Sequence, residues 1–257
     1  MIMTLKNLCS IAFIFGMLAF MTQGCTTDLN FITETIKGNG NLITKEISIA
    51  DYDEIDIAGS IDLNYQQLDE QPYFQITVDE NILEYLDIRV KDRVLYIQPV
   101  QTETKRNSYN LKTTECIINT NSKQIKGVEL AGLGNINLIS DIHADKLKFE
   151  LAGSAKVVSE KSITVKELEV ELAGSGEISL KGNVEKCDID IAGSGKIISP
   201  ELSVKYLKCD IAGSGKVEIG VSESIKCDIA GSGTLIYTGN PSFVEQDVAG
   251  SGKLIKK

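Results

Sequence analysis

The phrase AGSG, or a close variant of it, returns at a nearly fixed interval through the second half of this chain. The second residue of each AG pair falls at Gly132, Gly153, Gly174, Gly193, Gly213, Gly231 and Gly250, with spacings of 21, 21, 19, 20, 18 and 19. An eighth copy, EIDIAGSIDL, centres on Gly59. A repeat this short cannot bury a face by itself. It needs its neighbours, and stacked copies are the sequence mark of a solenoid.

Aligned on that glycine, the apolar positions have period two. Leu151, Leu172, Ile191 and Ile211 stand two places before it; Phe149, Val170, Ile189, Cys209 and Cys227 stand four before; Val157, Ile178, Ile197 and Val217 stand four after. Period two is a strand with one buried face. Copies running in one direction every ~20 residues predict an all-β chain wound as a parallel β-solenoid. Strands of successive coils lie ~4.8 Å apart, so seven coils make a rod roughly 34 Å long. By the same alternation both glycines of GSG are expected to point inward, where glycine suits a corner or a close approach of walls.

The positions between the apolar ones are equally regular. Three places before the glycine stands an acid: Glu129, Glu150, Glu171, Asp190, Asp210, Asp228, Asp247. One place after it stands a serine: Ser154, Ser175, Ser194, Ser214, Ser232, Ser251, with Leu133 the exception. Like charges at rung spacing repel by roughly 1 kcal/mol per neighbour in water. Lys148, Lys208 and Lys226 on the same face are expected to offset part of that. The acidic ladder reads as a solvated face, with a row of divalent cations or a partner's basic groove as the alternatives. The Ala/Ser stripe reads as a contact surface, with homo-oligomers of side-by-side rods as one use of it.

AGSGK is not a phosphate loop. That loop needs a glycine five places before the GK, where Asp190 precedes Gly195, and a Ser or Thr after the lysine, where Ile197 follows Lys196. The calcium nonapeptide repeat requires an aspartate these copies lack. No catalytic residue is assigned: the chain has one histidine, His143, expected at a surface corner, and no tryptophan. No cofactor and no metal site is expected either. The formal net charge of −10 argues against nucleic acid as a partner.

The N-terminus reads as an export signal over residues 1–24: Lys6, an apolar run from Leu8 to Met21, then TQGC. TQGC resembles the lipobox of bacterial lipoproteins, which makes Cys25 the expected lipidation site and a lipid the expected membrane anchor. Residues 25–40 read as a tether. Residues 41–120 read as an N-terminal β-rich section, β-helical with longer excursions, and residues 121–257 as the regular repeats. Within 41–120, PYFQITVD and ECIINT read as strands, DIRVKDRVLYIQPV as two strands around Lys91–Asp92, and NILEYL as one helical turn. QTETKRNSYN reads as an exposed loop, and most aromatics of this section as core. Cys116, Cys187, Cys209 and Cys227 are expected as buried free thiols, although Cys209 and Cys227 on adjacent rungs could bridge.

Several of these pieces together resemble a known family. GNGN at 38–41, Y..I.IAGS.DL across 52–63, V..D..L..I between 78 and 97 and the serial AGSG repeats resemble the head GIN domain family of auto-transporter adhesins, common in Bacteroidetes-type bacteria. The resemblance covers about residues 31–257. It implies a right-handed parallel β-helix at the cell envelope and an adhesin role, and it brings no catalytic residues. No C-terminal translocator barrel is expected, so the lipid would hold the protein at the outer membrane. The functional expectation is a non-enzymatic envelope lipoprotein presenting its surface to a protein or glycan ligand. The rivals are a periplasmic scaffolding protein and a carbohydrate-active β-helix.

Overall fold

The computed structural model of the chain describes residues 33–100 and 108–257. The expected signal segment and Cys25 lie outside the described residues.

Each copy of the repeat builds a long strand whose alternate side chains face inward. In β12 (Ile142–Gly153), Leu147, Phe149 and Leu151 are buried while Lys148 and Glu150 point out. The same pattern writes β10 (Gly127–Leu133), β14 (Ile163–Gly174), β16 (Gly182–Gly193), β17 (Lys196–Gly213) and β18 (Lys216–Gly231); β20 (Phe243–Gly250), the last copy, alternates in sequence but is left exposed. Each fully buried leucine or isoleucine contributes about 1.5–3 kcal/mol. These strands pair in parallel and hold one register over the repeat phrase, with Leu151 opposite Leu172, Leu172 opposite Ile191 and Ile191 opposite Ile211; β17 and β18 shift register between Ser199 and Tyr206. The eighth copy, in β3 (Glu54–Ser60), joins the same ladder, its Gly59 opposite Gly132. Beyond the glycine corner a shorter wall follows, seen in β4 (Asp62–Gln67), β11 (Asn135–Leu138), β13 (Lys156–Ser159), β15 (Glu177–Ser179), β19 (Thr234–Thr238) and β21 (Lys253–Lys256). The chain is therefore a parallel β-solenoid. The copies from Gly132 to Gly250 bound about six turns.

The long strands are not straight. Asp145, Lys166, Glu185 and Lys205 drop out of the pairing between neighbours that are otherwise in register. At each of these places two successive residues point outward, Asp145 and Lys146 for example. The strand bends there and supplies two walls of its coil.

The two glycines of GSG do different work, which corrects the expectation that both point inward. The first lies at the outer corner. At Gly193 φ is +122°, and an added Cβ would sit 2.7 Å from the Gly174 carbonyl oxygen of the previous coil. That carbonyl is occupied, because it accepts the Ser194 N–H at 2.9 Å. Any side chain would thus meet both a backbone conformation disfavoured for L-residues and a filled space. Only the second glycine points inward. A Cβ on Gly195 would overlap the Leu172 side chain, which fills the gap the glycine leaves.

The N-terminal end is closed differently. β3 and β4 are flanked on their far side by β7 (Val94–Pro99) and β9 (Cys116–Ser122), both parallel to them, which adds one more rung. Antiparallel strands then take over: β6 (Leu86–Lys91) on β7, β5 (Phe74–Asp79) on β9, and β2 (Leu42–Glu46) on β5. β1 (Thr33–Lys37) pairs in parallel with β8 (Ser108–Lys112). Covering a sheet edge in this way removes a template for unwanted pairing. The β6–β7 turn is a two-residue hairpin in which Asp92 (φ 52°) and Arg93 (φ 66°) are both left-handed. Residues 83–85 form a single 3-10 turn. Of the segment expected as an exposed loop, residues 101–107 lie outside the described residues and Ser108–Asn110 open β8.

Two buried carboxylates clamp this end. Asp79 is fully buried in the GNGN corner and accepts the Gly40 N–H at 2.8 Å, the Thr114 N–H at 2.7 Å and the Thr114 hydroxyl at 2.8 Å. Burial works to raise its pKa, but these donors outweigh it and hold the carboxyl below the usual range. Gly38 must be glycine because a Cβ there would overlap the Asp79 carboxylate. Asp53 is 4% exposed and accepts from Lys126 Nζ at 2.6 Å and Arg93 Nε at 3.0 Å. It ties the β6–β7 turn to the chain entering β10.

The expectation that most aromatics of this section are core does not hold: Tyr65 and Phe74 are buried, with Tyr52, while Tyr85, Tyr96 and Tyr109 are only partly covered. Buried Tyr52 and Tyr65 satisfy their hydroxyls on Thr120 Oγ1 (2.7 Å) and Ser122 Oγ (2.8 Å). Tyr73 is exposed, and Tyr96 lies under the Arg89 guanidinium, 4.9 Å from its ring centre. The four described cysteines are buried and unbridged; Cys209 and Cys227 face each other on adjacent rungs. Burial pushes the Cys187 thiol well up.

Candidate functional site

The outward positions of the long wall form rows that run along the rod. The acidic row is continuous over eight rungs: Asp56, Glu129, Glu150, Glu171, Asp190, Asp210, Asp228 and Asp247 each face the next. Two lysines are seated against it. Lys148 Nζ contacts Glu150 and lies 2.9 Å from Glu171, and Lys208 Nζ lies 2.8 Å from Asp210 and 3.2 Å from Asp188. The third expected partner, Lys226, turns instead to Glu245 at 3.3 Å.

Asp190 sits in the gap between the two lysines. Its pKa is pushed up to about 6, first by burial and then by Asp188, Asp210 and Glu171 around it, with Lys208 opposing. Glu129 is raised for the same reasons, burial first and then Asp56 and Glu150. An acid whose folded pKa lies above its unfolded value costs stability above the folded pKa, and the cost is relieved as pH falls through it. Asp190→Asn is therefore expected to stabilise the fold at neutral pH by about 1 kcal/mol, a figure reduced for water's screening of this half-buried group. Urea midpoints at pH about 7 and about 4 check this: the gain should shrink at the lower pH, and a destabilised variant at neutral pH would refute the explanation.

Past the alanine row and the glycine corner, Ser154, Ser175, Ser194, Ser214, Ser232 and Ser251 form an exposed stripe. Their N–H groups bond to the previous coil, Ser214 N to Gly193 O at 2.8 Å for example. Hydroxyl bonding along the stripe occurs between Ser232 and Ser251, 3.1 Å apart. Among the described residues no group of three or more His, Cys, Asp or Glu side chains is placed to hold a metal ion.

The bends of the long strands create a feature the repeat alignment does not announce. A groove of about 790 Å³ runs along the rod across the bends. One side is a row of uncharged polar residues in register, His143, Thr164, Asn183 and Ser203. The other side is the row of bend residues, Asp145, Lys166, Glu185 and Lys205, which alternates in sign. His143 is thus an exposed strand residue of β12 and not a corner. A second groove, about 480 Å³, adjoins it and includes Tyr206, 46% exposed. The signal for these rows was present as polar residues at the repeat spacing, but they stand outside the AGSG phrase.

The family model for "Putative auto-transporter adhesin, head GIN domain" matches residues 51–241. This chain belongs to the head GIN domain family. Solved structures agree with the assignment. A "putative lipid binding protein" from Parabacteroides distasonis is 32% identical, with 87% of this chain and all of that one covered at a TM-score of 0.69. A "putative adhesin" from Parabacteroides merdae is 31% identical, with 88% of this chain and all of that one covered at a TM-score of 0.67. A "putative adhesin" from Bacteroides fragilis, 22% identical, shares the fold at a TM-score of 0.75 over 86% of this chain and all of its own. No curated protein sequence matches the chain. The head GIN family is of adhesin type, a class that works at the cell surface or envelope.

Proposed function

We propose that this head GIN protein is a non-enzymatic adhesin, held by a lipid on Cys25 at the outer membrane, that presents the sides of its solenoid to a ligand outside the cell. The observation that carries the reading is the family match over 51–241. The structure supports it physically. The carboxylates with raised pKa values are strung along a rod at rung spacing and do not converge with a nucleophile or base in one pocket. A rigid rod with regular outward rows offers an extended contact surface, as solenoids do. A lipid-binding reading, prompted by the name of one neighbour, has less to rest on. Leu151, Leu172, Ile191 and Ile211 fill the space between the walls.

The test is adherence. Cells deleted for this protein should bind less to surfaces coated with host-derived glycans and matrix proteins than parental cells, and re-expression should restore binding. Unchanged adherence on deletion would contradict the adhesive function and leave a scaffolding role inside the envelope.

A further inference from the structure

The groove across the strand bends is the most specific surface on the molecule. This inference rests on the adhesive reading and names the ligand. Five observations bear on its chemistry. The groove is long and open: it spans the coils from Gln124 to Ser222, six rungs or roughly 24 Å, which suits an extended chain and not a compact small molecule. One side offers hydroxyl, amide and imidazole groups, each able to donate and accept. The side chains of Thr164, Asn183 and Ser203 make no hydrogen bond to other described residues, so their capacity faces outward unused. The bend row alternates in charge, and of the four lysines that line the groove three are ion-paired: Lys126 with Asp53 at 2.6 Å, Lys146 with Glu169 at 2.9 Å and Lys166 with Asp145 at 2.6 Å. The groove therefore offers a polyanion little unpaired positive charge, and the chain as a whole carries a formal charge of −10.

The fifth observation is aromatic. Tyr206 and Phe243 are 46% and 56% exposed and stand in one row beside the bend, with Ser224 between them in register. Two rungs separate them, about 10 Å. Tyr206 lines the second groove, next to the first, and an exposed ring there presents a flat apolar face to the C–H faces of sugar rings, while the polar row meets the hydroxyls. We propose that the bend groove and the adjoining groove together bind an extended, uncharged glycan along the solenoid axis, with Tyr206 of the second groove as the stacking platform and Thr164, Asn183 and Ser203 of the first as the hydroxyl-reading row.

The full chain titrated by calorimetry with a panel of neutral linear hexasaccharides and with a polyuronate hexasaccharide tests this. Neutral chains should bind, and the uronate should bind more weakly. Tyr206→Ala and Asn183→Ala should each weaken neutral binding about tenfold, whereas Ser194→Arg, on the far side of the glycine corner, should leave it unchanged. Both groove residues are exposed, so thermal melts of the variants should match the parent. Uronate binding equal to or tighter than neutral binding, groove variants that bind like the parent, or no binding by any oligosaccharide would each overturn the proposal. The failure of the groove is separable from the failure of adhesion. Cells carrying Tyr206→Ala and Asn183→Ala that adhere like the parent overturn the groove alone, while unchanged adherence on deletion of the whole protein overturns the adhesive reading.

Discussion

Gly193→Val unfolds or strongly destabilises the solenoid, by about 4 kcal/mol. Two costs add. The backbone at Gly193 has φ +122°, where a side chain costs about 1–3 kcal/mol. A Cβ there also meets the Gly174 carbonyl oxygen at 2.7 Å; that oxygen belongs to a hydrogen-bonded ladder that cannot yield, and forced overpacking costs about 1–3 kcal/mol more. Gly59 provides the control. Its φ is +130°, yet an added Cβ would find nothing within 4 Å. Gly59→Val therefore carries the backbone cost without the clash and should lose only about 1–3 kcal/mol. Urea denaturation of both variants reads the difference as a shift in midpoint. Equal, small losses at the two sites would mean that stacking of the corners does not require glycine, and the account of the phrase would fail. The damage should also be local, because each coil contacts only its neighbours.

Asp79→Ala is the second large effect, about 3 kcal/mol. The substitution leaves the Gly40 N–H, the Thr114 N–H and the Thr114 hydroxyl without their acceptor. Gly40 and Thr114 are exposed, so water can replace the lost acceptor in part, and each of the three charge-assisted bonds removed costs about 1 kcal/mol. The pH dependence has a definite sign. A carboxylate whose folded pKa is depressed contributes its full stability above its unfolded pKa of about 4 and loses it as pH falls through the folded value. Asp53, held low by Lys126 and Arg93 against the effect of burial, acts in the same direction. Asp190 acts in the opposite direction at higher pH. The parent should lose stability steeply below pH about 4, and Asp79→Ala should show a shallower acid limb on a lower baseline. An acid limb as steep as the parent's would mean that Asp79 is not the group being titrated.

The regular half of this molecule was legible because one signal repeats. Apolar residues two and four places before each glycine can only serve a buried face, and the copies share one register, so the walls and the ladder of acids followed directly. Other features depend on partners far away in sequence. GNGN is a recognisable string, but its reason is Asp79, some 40 residues later, which the loop wraps. The antiparallel pairing of β2 with β5 and of β5 with β9 has no local mark, since β5 alternates like any strand. The division of labour within GSG was misread because strict alternation does not survive a corner with positive φ. The bends were missed for a related reason: two successive outward residues, such as Asp145 and Lys146, look like a lapse in the pattern until the coils are stacked. Lys226 and Lys208 carry the same sequence context, but Lys208 faces Asp188 on the preceding rung, whereas Lys226 faces Lys208 there and finds its acid, Glu245, on the rung after.

The central claim is that the solenoid faces the outside of the cell, and antibody labelling of intact and permeabilised cells tests it most directly. Antibodies raised against residues 121–257 should stain intact cells as strongly as permeabilised ones. Staining that requires permeabilisation would put the rod inside the envelope and contradict the adhesin account.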